Sequence, residues 1–385
     1  MTTGPSFYEF FCGGGMVRAG LGESWTCLFA NDIDAKKAGA YRENWGGETL
    51  RVGDIHDLSA ADLPGRADLA WASFPCQDLS LAGPGDGLAG ARSSAFWGFH
   101  ALIEELAHES RQPTVIALEN VAGALTSNGG EDFVAICGAL QSLDYRFGAL
   151  TIDAALFLPQ SRPRLFILAL RRDAAIDAGL TAPAPRQPFA SSALLRAHQL
   201  LPRRLVADWL WWSPSDPPKR NLELGDLVED SPRDAPWRSA EETARLVSIL
   251  SRGAKAKLEA ARARGGIQVG ALYRRMRPDG EGGRRMRAEA RFDGLAGCLR
   301  TPGGGSSRQF LLVCQDGALR SRLLSAREAA RLMGLSEEYK LPSRYNEAYH
   351  LVGDGVAVPV VRFLAENLLD PLIAQAQRPA LAVAE

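Results

Sequence analysis

The chain has 385 residues, with 44 Lys and Arg against 45 Asp and Glu, 46% hydrophobic and 23% charged. That length suggests two or three domains at roughly 100 to 200 residues each, and the balance is that of an ordinary soluble globular enzyme. No apolar run approaches the ~20 residues that a membrane-spanning helix needs, which excludes a helical membrane protein.

Strand-like and helix-like segments alternate over the first ~170 residues, the pattern of a mainly parallel, doubly wound sheet with helices on its faces. Ser6 to Phe11 is the first expected strand, and Gly13, Gly14 and Gly15 turn it into a helix ending near Leu21. Thr26 to Asn31 is a second strand and Ala35 to Asn44 a helix. The apolar run Asp68 to Ser73 precedes Phe74-Pro75-Cys76-Gln77. Ser93 to Ala107 carries Phe96, Phe99, Leu102, Ile103 and Leu106 at near-helical spacing. Thr114 to Leu118 leads into Glu119-Asn120-Val121, and Gln160-Ser161-Arg162-Pro163-Arg164 opens the run Leu165 to Leu170. A thiol, a carboxylate and two guanidiniums thus each lie at the edge of an expected strand, where open α/β sheets bind ligands.

The pattern breaks after Leu170. Pro183, Pro185 and Pro188, then Pro214, Pro217 and Pro218, point to a linker into an irregular second domain, with Trp209, Trp211 and Trp212 expected in its core. Regular signals resume at Leu311 to Cys314. Ser325 and Glu328 have capping-box spacing, and the amphipathic stretch Val358 to Leu369 closes the pattern. The expected division is 1–170, 171–310 and 311–385, the last segment returning to the first domain.

Charge is uneven. Residues 245–308 hold 15 Lys and Arg against 5 Asp and Glu, leaving 29 against 40 elsewhere, so a basic module sits on an acidic body. Arg274, Arg275, Arg277, Arg284, Arg285 and Arg287 crowd one glycine-bearing stretch, a composition suited to phosphates but also to a solvated face. The start of the chain lacks the basic, apolar and small-residue pattern of a secretory signal, so the six cysteines are expected reduced in the cytoplasm. With no Cys-x-x-Cys pair and scattered histidines, no metal is expected.

The glycine turn fits any nucleotide-like cofactor: glycine admits close backbone approach, and the helix start offers unpaired N–H groups. Asp32, some 20 residues on, is placed for ribose hydroxyls. To this point a nicotinamide dehydrogenase fits as well as a methyl-donor enzyme.

The ordered set is more telling. Glu9 to Gly15, Asn31-Asp32-Ile33-Asp34, Gly53-Asp54-Ile55, and Phe74 to Gln77 running on to Ser80, Ala82 and Gly83 are followed by Arg92, Phe96, Glu119-Asn120-Val121 and Gln160 with Arg162 and Arg164. Later come Arg322 to Ser325, Glu328, Arg331 to Gly334, Ala348-Tyr349 and Gly353 to Val356. This series resembles the DNA (cytosine-5) methyltransferase family at both ends of the chain. Residues 171–310 match no motif, as befits a variable target-recognition domain.

The resemblance implies a Rossmann-like methyltransferase sheet and methylation of cytosine C5 in a specific double-stranded DNA sequence, with S-adenosylmethionine as donor and S-adenosylhomocysteine as product. Cytosine C5 is a poor nucleophile until another nucleophile adds at C6, and a thiolate suits that step. Cys76 takes that part, Glu119 holds N3 and the exocyclic amine, and Arg164 with Arg162 holds O2 and the Cys76 loop. Gln77, Ser80 and Gln160 position the loop and the DNA, and the six arginines named above contact it.

For the cofactor, Phe11, Gly13 and Gly15 surround the methionine end, Asp32 meets the ribose, Ile33 and Ile55 the adenine faces and Asp54 its amine; Pro75, Asp354 and Val356 complete the set. Three departures stand out: Met16 for a usual glycine, Ala72-Ser73 where glycines often stand, and Asp354 for a usual asparagine. The resemblance also implies a bacterial, nucleoid-associated monomer, with or without a companion restriction endonuclease. The competing readings are a methyltransferase-like protein that binds nucleic acid without turnover, and an RNA cytosine-5 methyltransferase.

Overall fold

Seven strands form the sheet around which the N-terminal part of the chain is wound. The computed structural model describes residues 4–75, 95–278, 283–300 and 308–377. The strands are β1 (Ser6–Phe10), β2 (Thr26–Asp32), β3 (Leu50–Val52), β4 (Leu69–Ala72), β5 (Val115–Val121), β6 (Tyr145–Asp153) and β7 (Pro163–Arg171), in the order β3-β2-β1-β4-β5-β7-β6. Pairings from β3 across to β5 are parallel, whereas β7 runs antiparallel to β5, Glu119 facing Phe166 and Val121 facing Arg164. All four residues of β4 are buried, and so are six of the seven in β5. Their continuous apolar sequences follow from burial on both faces.

Helices α1 (Met16–Leu21), α2 (Ala35–Trp45), α3 (Ala95–His108) and α4 (Glu131–Ser142) connect these strands. Asp34 caps α2 by accepting from the amides of Lys36 and Lys37. The expected stripe of α3, from Phe96 to Leu106, is fully in the core with Phe10, Ile116 and Ile167. The chain fills the β1 side as far as β3 and then crosses to β4, so the strand order reverses between β1 and β4. Ligands bind at such a switch point, beyond the carboxyl ends of the strands.

By packing, the chain divides into two units, and the limits differ from those expected. The first holds residues 1–152, 163–217 and 360–385; the second holds 153–162 and 218–359. Within the first unit, α5 (Ser192–Gln199), α6 (Arg203–Val206) and a short ribbon of β8 (Thr181–Ala182) with β9 (Trp211–Trp212) extend the sheet domain past residue 170. The tryptophan cluster therefore lies in the first unit. Trp209 packs edge-on to Phe133 and Phe147, and buried Trp212 donates to the Leu168 carbonyl at 3.2 Å.

The second unit is more regular than its proline-punctuated sequence suggests. Strands β10 (Gln268–Pro278), β11 (Arg284–Arg291), β12 (Phe310–Gln315) and β13 (Ala318–Leu323) form an antiparallel sheet in the order β11-β10-β12-β13. Against it, α7 (Ala240–Ser248) and α8 (Arg252–Arg264) bury Leu246, Leu250, Ala254 and Leu258 on Leu272, Ala288, Phe310 and Leu312. The capping box holds: Ser325 and Glu328 start α9 (Ala326–Arg331), and Glu328 also pairs with fully buried Arg322 at 2.6 Å. α10 (Tyr345–Asp354) leads to α11 (Val358–Leu364). Within the first unit, a π turn and α12 (Asp370–Ala376) are tied in by Trp25, which donates to Asp370 at 2.9 Å. Among the described residues no helix is long and apolar enough to cross a membrane.

Candidate active site

At the end of β1 the backbone turns through left-handed conformations at Phe11 (φ 58°), Gly13 (54°) and Gly15 (77°). Gly15 is required sterically: a Cβ there would lie 2.4 Å from Trp45 Nε1, which donates to the Gly14 carbonyl at 2.9 Å. Gly13 differs, because a Cβ there meets nothing within 4 Å and the turn opens onto free space. Asp32 holds the turn from β2, one oxygen accepting from Gly13 N and the other from Asp34 N, both at 2.8 Å. Burial raises its pKa against those hydrogen bonds.

Next to Asp32, Ile33 is 65% exposed, an apolar side chain left outside the core at the sheet edge. Ile55, expected at the opposite adenine face, is instead 3% exposed and packed in the core. Asp54 caps the turn over Ile55 by accepting from His56 N. Beneath the glycines lies Glu9, whose burial pushes its carboxyl up to about 8 despite the Arg18 charge and the Val17 and Arg18 amides. Its burial is complete and neither oxygen makes a hydrogen bond of full geometry. Nothing in its position as the first residue of a glycine-turn motif singled it out.

Two strands away, the β5–β7 pairing brings the expected acid and base-holding guanidinium together. Glu119 and Arg164 are diagonal neighbours on one face of the antiparallel pair, a separation that long side chains span. Arg164 Nε lies 3.2 Å from Glu119 Oε1, with both side chains mostly buried. Asn120 points to the other face, where its amide donates to the Phe74 carbonyl at 3.3 Å. It thereby tethers the segment that runs from Phe74, packed on Phe96, to exposed Pro75. Cys76, Gln77 and Ser80, which follow, lie outside the described residues.

Gln160 and Arg162 are used differently from the expectation, both being buried in the second unit. Gln160 has no exposed surface; it donates to the Leu332 carbonyl at 2.6 Å and accepts from Leu299 N at 3.1 Å, so its amide braces that unit rather than facing DNA. Arg162, 2% exposed, donates to the carbonyls of Leu299, Gly353 and Gly355 at 3.1, 3.0 and 2.6 Å. Its guanidinium is thereby spent on backbone oxygens, among them those flanking exposed Asp354, and Val356 beyond is buried. Of the two arginines in this motif, the one beside Glu119 is Arg164.

The arginine stretch forms the distal part of the β10–β11 ribbon. Register sets Arg274 opposite Ala288, Arg275 opposite Arg287, Arg277 opposite Arg285 and Pro278 opposite Arg284. Arg275 stacks 4.6 Å from the Tyr273 ring and donates to its hydroxyl. Met276 and Met286, paired across the ribbon, are both exposed.

A sequence profile described as C-5 cytosine-specific DNA methylase matches residues 6–370. The chain belongs to that family. It is 25% identical over 368 residues to the type II methyltransferase M.HhaI of Haemophilus parahaemolyticus, covering 95% of this chain and 94% of the relative. The type II methyltransferase M.NlaX of Neisseria lactamica is likewise 25% identical, over 96% and 98%. Among solved structures, the S. pombe Dnmt2 methyltransferase (TM-score 0.56, 19% identity) covers 96% of this chain and 99% of its own, and Entamoeba histolytica EhMeth (0.61, 15%) covers the same shares. At those identities the likeness establishes the fold. Membership in the cytosine methylase family makes this an enzyme and implies S-adenosylmethionine as methyl donor. The turn fits such a group: open space beside Gly13, exposed Ile33 and the buried Asp32 carboxylate suit an adenosine with its ribose. Among the described residues no cluster of His, Cys, Asp and Glu could hold a metal ion.

Proposed function

We propose that this chain methylates C5 of cytosine within a specific sequence of double-stranded DNA, through a transient bond between Cys76 and C6 of a cytosine swung out of the helix. The reading is carried by the Glu119–Arg164 pair at the strand edges of a family-type sheet. S-adenosylmethionine, when bound, supplies the electrophilic methyl group. Phe11 and Gly13 of the glycine turn, Asp32 and Ile33 at the end of β2, and Asp54 are the residues that hold it.

The remaining work falls to side chains. The Cys76 thiolate adds to C6, and its electron pair passes through the ring to make C5 nucleophilic. Glu119 shares a proton with N3, neutralising the charge that builds there. Arg164 fixes the Glu119 carboxylate and reaches O2 of the base. Once C5 has gained its methyl, loss of the C5 proton to a base and expulsion of the Cys76 thiolate restore the aromatic ring. A stacked base cannot be approached from both faces, so the cytosine must leave the duplex at a cost of a few kcal/mol. Residues 218–359, with the arginine ribbon, deliver the target sequence.

Transfer of tritiated methyl to duplex DNA and to RNA, for wild type and Cys76→Ala, tests the reading. Label on DNA that disappears with Cys76→Ala is the expected result. Label on RNA alone would redirect the substrate, and full activity in the variant would overturn the mechanism.

A further inference from the structure

α8 lies over the β11 side of the antiparallel sheet and is fastened to it at both ends. Just before the helix, residues 249–251 bridge to β11 at Ala288: Ser251 N donates to the Ala288 carbonyl and Ala288 N to the Ile249 carbonyl, both at 2.9 Å. At the far end Arg264 donates to the Gln268 side chain at 2.9 Å and to the Phe292 carbonyl at 3.3 Å. The helix therefore starts beside the arginine-bearing end of the ribbon and runs away from it. Ala254, Leu258 and Ala261 are its buried residues, while Arg252, Lys255 and Lys257 are exposed.

The helix itself does not account for these three charges. A helix start is the positive end of the macrodipole, where carboxylates stabilise and cations do not. α7 obeys that rule, with Glu241 and Glu242 in its first turn and Arg245 in its last. α8 breaks it: Arg252 is its first residue and its first turn holds no carboxylate. Arg252 and Lys255, three residues apart, also repel each other. A solvated face offsets such charges with a partner one turn away, as Glu259 does for Arg262 at 2.9 Å. Among the described residues no hydrogen bond or ion pair engages the side chains of Arg252, Lys255 or Lys257. The carboxylate at the helix start, Glu289, accepts instead from the Ser251 hydroxyl at 2.9 Å.

We infer that Arg252, Lys255 and Lys257 make α8 a second DNA-binding element, which holds phosphates of the backbone next to the stretch met by the β10–β11 ribbon. Such a role presupposes the DNA substrate proposed above. Two of the three cations are lysines, point charges on flexible stems that suit a phosphate rather than the bidentate edge of a base. Phosphate contacts set register without reading sequence, so α8 contributes affinity and orientation while other groups choose the site.

The test is binding of the full chain to duplexes of several sequences across 50 to 200 mM salt, with melting curves confirming that each variant folds. Wild type is compared with Arg252→Gln, with Lys255→Gln and Lys257→Gln combined, and with Lys255→Arg and Lys257→Arg combined. The double Gln variant is expected to bind every duplex about 50-fold more weakly at about 100 mM salt, with the slope of log affinity against log salt shallower by about 1.8. Arg252→Gln should flatten the slope by about 0.9. The double Arg variant keeps the charge and should keep the slope. Unchanged affinity and slope in both Gln variants overturns the inference and leaves α8 a solvated face. Weakening confined to some sequences at an unchanged slope overturns it too, because that marks a base edge. Wild type that binds RNA and no duplex sinks the DNA reading itself, a result seen before any variant is compared.

Discussion

Two carboxyls, Glu119 and Glu9, lie in the same sheet domain and are set to opposite tasks by their surroundings. Glu119 sits beside Arg164 at a strand edge, and in the proposed mechanism it shares a proton with a base. Glu119→Gln keeps the shape and a hydrogen bond to Arg164 but cannot share that proton. It should lower kcat for DNA methylation by about 10² to 10⁴ while leaving cofactor affinity within a few-fold, measured by single-turnover methyl transfer and by titration. Glu9 is fully buried, and desolvation lifts its pKa from an ordinary 4.5 to about 8. Below pH 4.5 both folded and unfolded chains hold the proton, and the raised pKa adds no cost. Between 4.5 and 8 the unfolded chain releases it and the folded chain does not, so stability falls as pH rises through that window, by up to roughly 5 kcal/mol, and levels off above 8. Glu9→Gln should therefore match wild type at pH 4.5 to 5 and exceed it at pH 8. Calorimetric melting across that range decides; parallel curves for the two proteins would show that burial does not hold the Glu9 proton into that range.

At the level of elements, what could be read from the sequence was what depends on local pattern. The α3 stripe, the glycine turn and the Ser325–Glu328 capping box follow from spacing, and each stands where spacing placed it. The arginine strands β10 and β11 did not announce themselves, because arginine is no strand former. They are strands because Leu272, Ala288 and Ala290 alternate onto a helix-covered face and the backbone pairing carries on from them through Arg275 opposite Arg287 and Arg277 opposite Arg285. Motif spacing also located Arg162 and Arg164 without telling them apart, since burial is a tertiary property. Arg162 is a brace across three backbone carbonyls of the second unit, and its removal leaves buried acceptors unsatisfied. Arg162→Met should cost about 3 to 5 kcal/mol of that unit's stability, seen as a lower urea midpoint. Arg164→Met, at the Glu119 pair, should instead remove activity with a smaller loss of stability.

Over the whole molecule, the near-neutral charge conceals a division of labour. Residues 245–308 carry a balance of +10 and the rest of the chain −11, so an anionic duplex is drawn to one segment and repelled elsewhere, which orients encounter before any base is read. The basic segment includes the ribbon of the second unit, whereas the glycine turn, with Asp32 and Ile33, belongs to the first. Salt should therefore act on the two ligands unequally. Each phosphate contact contributes about −0.9 to the slope of log affinity against log salt, so four contacts weaken DNA binding by about a hundredfold between 50 and 200 mM. In the proposed cofactor site, adenosine contacts to Gly13 and Ile33 would release few counterions, and S-adenosylmethionine affinity over the same range should change less than twofold. Parallel titrations of both ligands at three salt concentrations compare the two. A DNA affinity as flat as the cofactor's would mean that the arginine ribbon is a solvated face and that the duplex is held by another surface.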